Sequence, residues 1–342
     1  MTPITIKDIT IRDWRSVTTV SHALHDYDDV SPETKEMVKK AAAEMGYTPS
    51  SFAQRLQKQK SDTIGLILPT YGPRFSDPFF SEFLAGVGNA AGNRGYDILV
   101  STCPPGDEEL YRYQSSVQGR RLDGFVILRT RRFDARIKYL CQVKFPFVAF
   151  GRTEGPCTFP YVDEDSEHGM RLIVEHLVQS GFSRIGFIAA PDDLMFNLYR
   201  NKGFIESLAE HNLPVENKYI TTGDLTQRGG YNQARNILNL SPPPDASVAS
   251  NDLMALGAIS AAQERGLRVG KDIAITGFDD TLMAEHSHPP LTTVHQPVYK
   301  IGGMVTDMLV QRIQGETLEN ENIILKPSLV IRQSCGGPSM IL

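Results

Sequence analysis

The sequence predicts an N-terminal all-α helix-turn-helix headpiece with a hinge helix, followed by an α/β domain of two lobes, each a doubly wound parallel sheet. Three observations predict it. Three short helical patterns with small polar starts fall within residues 1–48, the arrangement a helix-turn-helix reader needs. A basic, helix-capable stretch occupies 49–61. From Thr63 onward, short apolar runs alternate with longer amphipathic stretches, which is the pattern of buried parallel strands and the helices that cover them.

Thr5 is positioned to cap a helix starting at Ile6, with Asp8 three residues on completing its polar first turn. Ser16 or Val17 opens the second helix, where Val20, Ala23 and Leu24 recur at helical spacing and turn one apolar face inward. Val17, Thr18, Ser21 and His22 are left facing outward. Threonine and histidine hydrogen-bond base edges or phosphates, and the methyls of Val17 and Thr18 fit against a thymine methyl. Ser31-Pro32-Glu33-Thr34 is a strong helix start, with Ser31 as cap and Pro32 at the first helical position. The third helix runs to Gly46, its expected C-cap. Taken alone, this is also the pattern of any small three-helix bundle.

Ser50 to Lys60 is polar and basic with one apolar wedge, Leu56. Such a residue enters a minor groove and kinks DNA while Arg55, Lys58 and Lys60 neutralise phosphates. A packing contact of Leu56 with the following domain is the bland alternative.

Together, Thr5-Ile6-Lys7-Asp8-Ile9, Thr19-Val20-Ser21-His22-Ala23-Leu24, Val30-Ser31-Pro32-Glu33-Thr34, Gly46-Tyr47-Thr48-Pro49 and Ala53 with Leu56 resemble the lactose-repressor (LacI/GalR) family of bacterial transcription regulators. The resemblance covers nearly the whole chain. It implies that Val17, Thr18 and His22 read an operator, and that Leu56 is the minor-groove lever of a hinge helix formed in a DNA-bound homodimer. The expected DNA contacts are Thr5, Val17, Thr18, Thr19, Ser21, His22, Ser31, Tyr47, Ala53 and Leu56. It further implies a periplasmic-binding-protein-like effector domain over 62–342, with lobe 1 at about 62–161 and 292–326 and lobe 2 at about 162–291 and 327–342.

Composition agrees with this organisation. At 342 residues and a net charge of −5, the chain is not DNA-binding surface throughout. Residues 1–61 carry nine Lys and Arg against eight Asp and Glu, so the acidity lies in the remainder. Cys103, Cys141, Cys157 and Cys335 show neither metal-ligand spacing nor an evident pairing. With no signal peptide and no long apolar run, a reducing cytoplasm is expected. After Arg332 no heptad follows, so no coiled-coil tetramerisation tail is expected.

Ligands of doubly wound sheets sit beyond the carboxyl ends of the strands. That places Asp77, Phe79 and Phe80 after the first strand, Arg129 and Arg131 after the strand at Gly124, and Arg152 after Phe150. Asp163 is expected to open the second lobe, and Asn251 and Asp279 end late strands. Carboxylate, amide and guanidinium groups each hold two sugar hydroxyls, and an aromatic ring covers the apolar side of a pyranose. A carbohydrate effector is therefore expected. The resemblance singles out Arg200 of Arg200-Asn201-Lys202-Gly203-Phe204, Asn251 and Asp279 as the best-supported contacts.

Enzymatic readings are weak. Gly86-Val87-Gly88-Asn89-Ala90-Ala91 formally satisfies a dinucleotide fingerprint, but the residues before it read as helix, so a helix-helix contact is favoured. There is no phosphate-binding P-loop and no nucleophile elbow. His286 and His288 lack a third ligand nearby. No enzyme, cofactor or metal is expected. A sugar sensor that has lost DNA binding remains the competing class, drawing its force from Asp13-Trp14-Arg15. There the family usually has Ala or Thr, then Gly, then Val, and a tryptophan at the glycine position is expected to strain the turn and weaken DNA binding.

Overall fold

The computed structural model describes residues 4–13, 15–47, 60–70 and 77–336, which form two compact units divided between Ser61 and Asp62. The hinge segment, including Ala53 and Leu56, and Trp14 of the divergent turn lie outside the described residues.

In the first unit, α1 (Ile6–Asp13) begins with Thr5 donating through both its backbone N–H and its hydroxyl to Asp8 Oδ2, each at 2.7 Å. Ser16 caps α2 (Val17–Leu24) by accepting from Thr19 N. Ser31 caps α3 (Pro32–Met45) by accepting from Thr34 N, and Gly46 ends it in the left-handed region at φ 66°. Ile9, Val20, Ala23, Val30, Val38, Ala41 and Ala42 form the core. Helical periodicity selects all of these side chains but Val30, because each occupies the apolar stripe of its own helix; Val30 comes from the loop before α3.

The second unit contains two six-stranded sheets. Its elements run β1 (Thr63–Pro69), α4 (Pro78–Asn93), β2 (Asp97–Cys103), α5 (Asp107–Gln118), β3 (Gly124–Ile127), α6 (Ala135–Gln142), β4 (Phe147–Phe150) and β5 (Tyr161–Glu164). Then follow α7 (Ser166–Gln179), β6 (Ile185–Ala189), α8 (Met195–Glu210), β7 (Ile220–Thr222), α9 (Gln227–Leu238), β8 (Ala246–Ala249), α10 (Asp252–Glu264), β9 (Ala274–Asp279), α11 (Leu282–His286) and β10 (Thr292–His295). The chain finishes with α12 (Val298–Gln314), β11 (Asn322–Leu325) and β12 (Ser328–Val330). The first sheet has the order β11-β5-β4-β3-β1-β2 and is parallel throughout. The second, β12-β10-β9-β8-β6-β7, is parallel except for the β10–β12 pair.

Sheet membership corrects two expected lobe boundaries. β10 pairs with β9, so residues 292–295 belong to the second sheet and the chain crosses only after His295. β5 pairs with β4 and β11, so Asp163 closes the first lobe instead of opening the second. An apolar run announces a buried strand but not which sheet receives it; pairing decides that. The glycine-rich Gly86–Ala91 stretch lies inside α4, where a Cβ on Gly86 would stand 2.1 Å from the Tyr299 carbonyl of α12. Close helix packing thus accounts for it.

The cysteines are a further correction. Cys141 at the end of α6 and Cys157 in the loop before β5 form a disulfide, with Cα atoms 6.6 Å apart. A separation of 16 residues carries no local signal; only the packing of that loop against α6 brings the thiols together.

Candidate functional site: a DNA-facing recess and an inter-lobe cleft

The headpiece places Val17 and Thr18 on the exposed face of α2, while Thr19, Ser21 and His22 are half-buried. Thr18, Thr19 and His22 share a recess with Ser31 and Thr34 from the start of α3, and with Arg15 and Asp29. His22 Nδ1 lies 2.6 Å from Asp29 Oδ2, and its ring packs on Tyr27 with centroids 4.8 Å apart. The outward edge of the imidazole is thereby Nε2. Thr5 is exposed at the start of α1, and Tyr47 is packed against the headpiece core. The first turns of α2 and α3 line this recess, and the positive ends of their dipoles favour anions. A polar surface of this shape suits a groove edge.

In the second unit, seven of the ten expected effector residues line one cavity between the sheets: Phe79, Arg129, Arg152, Asp163, Arg200, Asn251 and Asp279. All but Arg200, which lies in the second turn of α8, come from a strand end or the helix start beyond it. Arg129 (φ 50°), Leu225 (φ 67°) and Asp279 (φ 133°) hold left-handed backbone without being glycine, which is costly and concentrates at binding sites.

Arg152 donates from Nε to Asp163 Oδ2 at 2.6 Å and lies 3.8 Å from the Tyr199 ring centroid. Arg200 is buried at the heart of the cluster. It donates to Glu164 Oε1 at 2.8 Å and to the Ser250 carbonyl, and its guanidinium lies 3.6 Å from the Phe278 ring centroid. Burial pushes the Asp163 and Glu164 carboxyls above the usual carboxylate range, opposed by Arg152 and Arg200 respectively. Glu164 Oε2 has no hydrogen-bond partner among the described residues. Asn251 caps α10, accepting from Met254 N at 3.0 Å and donating to the Leu225 carbonyl at 3.1 Å. Asp279 accepts from Gln296 Nε2 at 2.7 Å at the crossing between lobes. Its carboxyl is raised well above the usual range, first by burial and then by the neighbouring Asp252. Asp252, held by Thr293 Oγ1 at 2.6 Å and Thr281 N at 2.7 Å, is itself pushed up to about 6 by burial.

Three expected residues lie elsewhere. Asp77 caps α4 and supports Arg129 through a 2.6 Å ion pair. Phe80 is buried in the first lobe's core beneath the Arg129 guanidinium, 4.6 Å from ring centroid to charge. Its position next to Phe79 on a helix turns it to a different face. Arg131 pairs with buried Glu109 at 2.7 Å and approaches Asp193 of the other lobe at 3.5 Å. It belongs to an inter-lobe clasp in which Met195 N donates to the Thr130 carbonyl and Arg132 N to the Asp193 carbonyl, both at 2.9 Å. Sequence reasoning missed Glu164, Phe196, Leu225 and Gln296, which also line the cavity. Glu164 follows Asp163 at a strand end and was within reach of the strand-end rule; Leu225 and Gln296 carry no chemical signal of their own.

Comparison with known proteins follows this geometry closely. Residues 5–50 match the family described as bacterial regulatory proteins, lacI family, and residues 174–335 match a periplasmic binding protein-like domain. The transcriptional regulator CelR of Thermobifida fusca is 34% identical over 319 residues, covering 92% of this chain and 94% of that protein. The chain belongs to the LacI family. The transcriptional repressor CytR of Escherichia coli is also similar, 33% identical over 334 residues and covering 97% of this chain and 96% of that protein. Among solved structures, a Lac repressor dimer bound to operator and the anti-inducer ONPF superposes with a TM-score of 0.84 at 29% identity, covering 97% of this chain and 99% of that one. A CelR–cellobiose complex gives 0.76 at 32% identity, with the same coverage. This LacI-family chain is a DNA-binding transcription regulator with an effector-binding domain. Among the described residues, no helix is long and apolar enough to cross a membrane.

Proposed function

We propose that this protein is a cytoplasmic, homodimeric repressor of a sugar-utilisation operon, controlled by a carbohydrate held between its lobes. The observation that carries the effector reading is the set of buried Asp163, Glu164, Arg200, Asn251 and Asp279 with half-buried Arg152 around one cavity beside Phe79. It brings guanidinium, amide and carboxylate groups next to an aromatic ring, the chemistry suited to sugar hydroxyls. The likeness to a CelR–cellobiose complex supports a disaccharide or glucoside. The cavity encloses about 50 Å³, against roughly 300–1,000 Å³ for ordinary ligand sites. Sugar entry therefore requires the lobes to part, which breaks the clasp at Thr130, Arg132, Asp193 and Met195. Exposed Leu99 and Val100 on the edge strand β2 supply apolar surface for a second copy, and a dimer sets two recognition helices on a pseudo-palindromic operator.

A thermal-shift panel of cellobiose, other glucosides and monosaccharides tests the effector reading. A ligand at 100 times its dissociation constant stabilises the folded protein by about 2.7 kcal/mol. One class of sugar is expected to raise the melting temperature, and Asp279→Ala to abolish that rise. A panel that leaves the melting temperature unmoved overturns the carbohydrate assignment.

A further inference from the structure

The segment Asp13-Trp14-Arg15 is where the chain departs from its family, and from the sequence it reads as a defect in DNA binding. Arg15 gives it a different meaning. Helix α1 continues to Asp13, and Ser16 caps α2 in the ordinary way. Arg15 thus stands immediately before the cap of the recognition helix, with an exposed side chain. It lines the same recess as Thr34 and as Thr18, Thr19, His22 and Ser31, the last four being side chains expected to face DNA.

The other ionisable groups of this recess are engaged with each other: Asp29 takes His22 Nδ1 at 2.6 Å. Ser16 and Thr19 share a hydroxyl contact at 2.9 Å, and Ser31 and Thr34 one at 3.0 Å. Among the described residues no carboxylate forms an ion pair with Arg15; the nearby headpiece pairs are Arg12 with Glu44 and Lys39 with Asp26. The recess therefore holds one paired acid, several hydroxyls and one guanidinium without a protein counter-ion among the described residues. A DNA phosphate supplies the missing anion, and a guanidinium fork fits two of its oxygens at once.

We propose that Arg15 contacts the DNA phosphate backbone, an added cation at the position where the family usually carries an apolar turn residue. The contact is to phosphate and not to a base, because Arg15 precedes the helix cap and lies outside the helical face that enters the groove. This rests on the established DNA-binding reading and adds one residue to it.

The test uses the full chain and a short duplex that the wild type enriches from a randomised library. Fluorescence anisotropy measures affinity between about 50 and 200 mM KCl, where each neutralised phosphate contributes about 0.9 to the slope of log K against log salt. Arg15→Gln is expected to reduce that slope by about 0.9 per protomer, Arg15→Lys to retain it, and neither to change the enriched sequence. An unchanged slope in Arg15→Gln overturns the proposal, as does an altered base preference, which would make Arg15 a base reader. Circular dichroism of both variants shows whether the headpiece stays helical; a loss of slope in Arg15→Lys as well would point to a packing role and also reject it. If the wild type enriches no sequence, operator recognition itself fails and the proposal falls with it, a result distinct from the failure of Arg15 alone.

Discussion

In the headpiece recess, polar side chains are held by near neighbours in sequence: Ser16 with Thr19 and Ser31 with Thr34 at a separation of three, His22 with Asp29 at seven. In the inter-lobe cleft the partners are far apart along the chain: Arg200 and Glu164 by 36 residues, Arg200 and Ser250 by 50, Arg129 and Asp77 by 52. The first set is largely exposed and the second largely buried. Exposed local pairs contribute little to stability and leave water to satisfy a lost partner. Buried distant pairs are integral to the fold, because removing one member strands a charge away from water. Function and stability should therefore separate cleanly in the recess and remain entangled in the cleft.

The largest expected effect is at Arg200. Arg200→Ala leaves Glu164 buried without its cation, and should lower unfolding free energy by about 3–5 kcal/mol as well as remove the sugar response. Urea melts measure the first and calorimetry with the cognate sugar the second. His22→Ala in the recess should weaken operator binding while shifting stability by no more than about 0.5 kcal/mol. Equal stability losses in the two variants would break the comparison.

Next in size is a pH effect confined to the cleft. Burial raises the folded-state value of Asp252 from 3.8 to about 6, so the folded form binds a proton that the unfolded form releases. The resulting stability is fully present below about pH 4 and is lost as pH rises through about 6, amounting to at most about 3 kcal/mol. In Asp252→Asn this component should vanish, seen as a flatter difference in urea midpoint between about pH 4 and 6.5. Parallel pH profiles for the two proteins would show that Asp252 ionises as an ordinary carboxylate.

The hinge is expected to respond at a similar or smaller scale. Leu56→Ala should cost roughly 1–3 kcal/mol of specific operator affinity, comparable to one mismatched base pair, with unchanged melting of the second unit. A fall in core stability at constant affinity would favour a packing role for Leu56. The smallest effect is expected at Trp14. Trp14→Gly restores the family's turn residue without touching Arg15, so operator affinity should rise modestly while the salt slope stays constant. A tighter wild type would show that the tryptophan turn is competent as it stands.

The sequence by itself determined the headpiece almost completely. Caps at Ser16 and Ser31, the stop at Gly46 and the apolar stripe through Val20, Ala23 and Val38 are all set by spacings of three or four residues, which one strand of text displays. The strand-end rule also selected Arg152, Asn251 and Asp279, and the family resemblance Arg200, all of which line the one cavity. Tertiary structure alone decided the rest. It assigned β10 to the second sheet, buried Phe80 beneath Arg129, turned Arg131 into a clasp across the lobes, and joined Cys141 to Cys157. It also brought Glu164 and Gln296 into the cavity. Each of these depends on contacts between segments distant in the chain, and periodicity reports only which side of its own helix or strand a residue occupies.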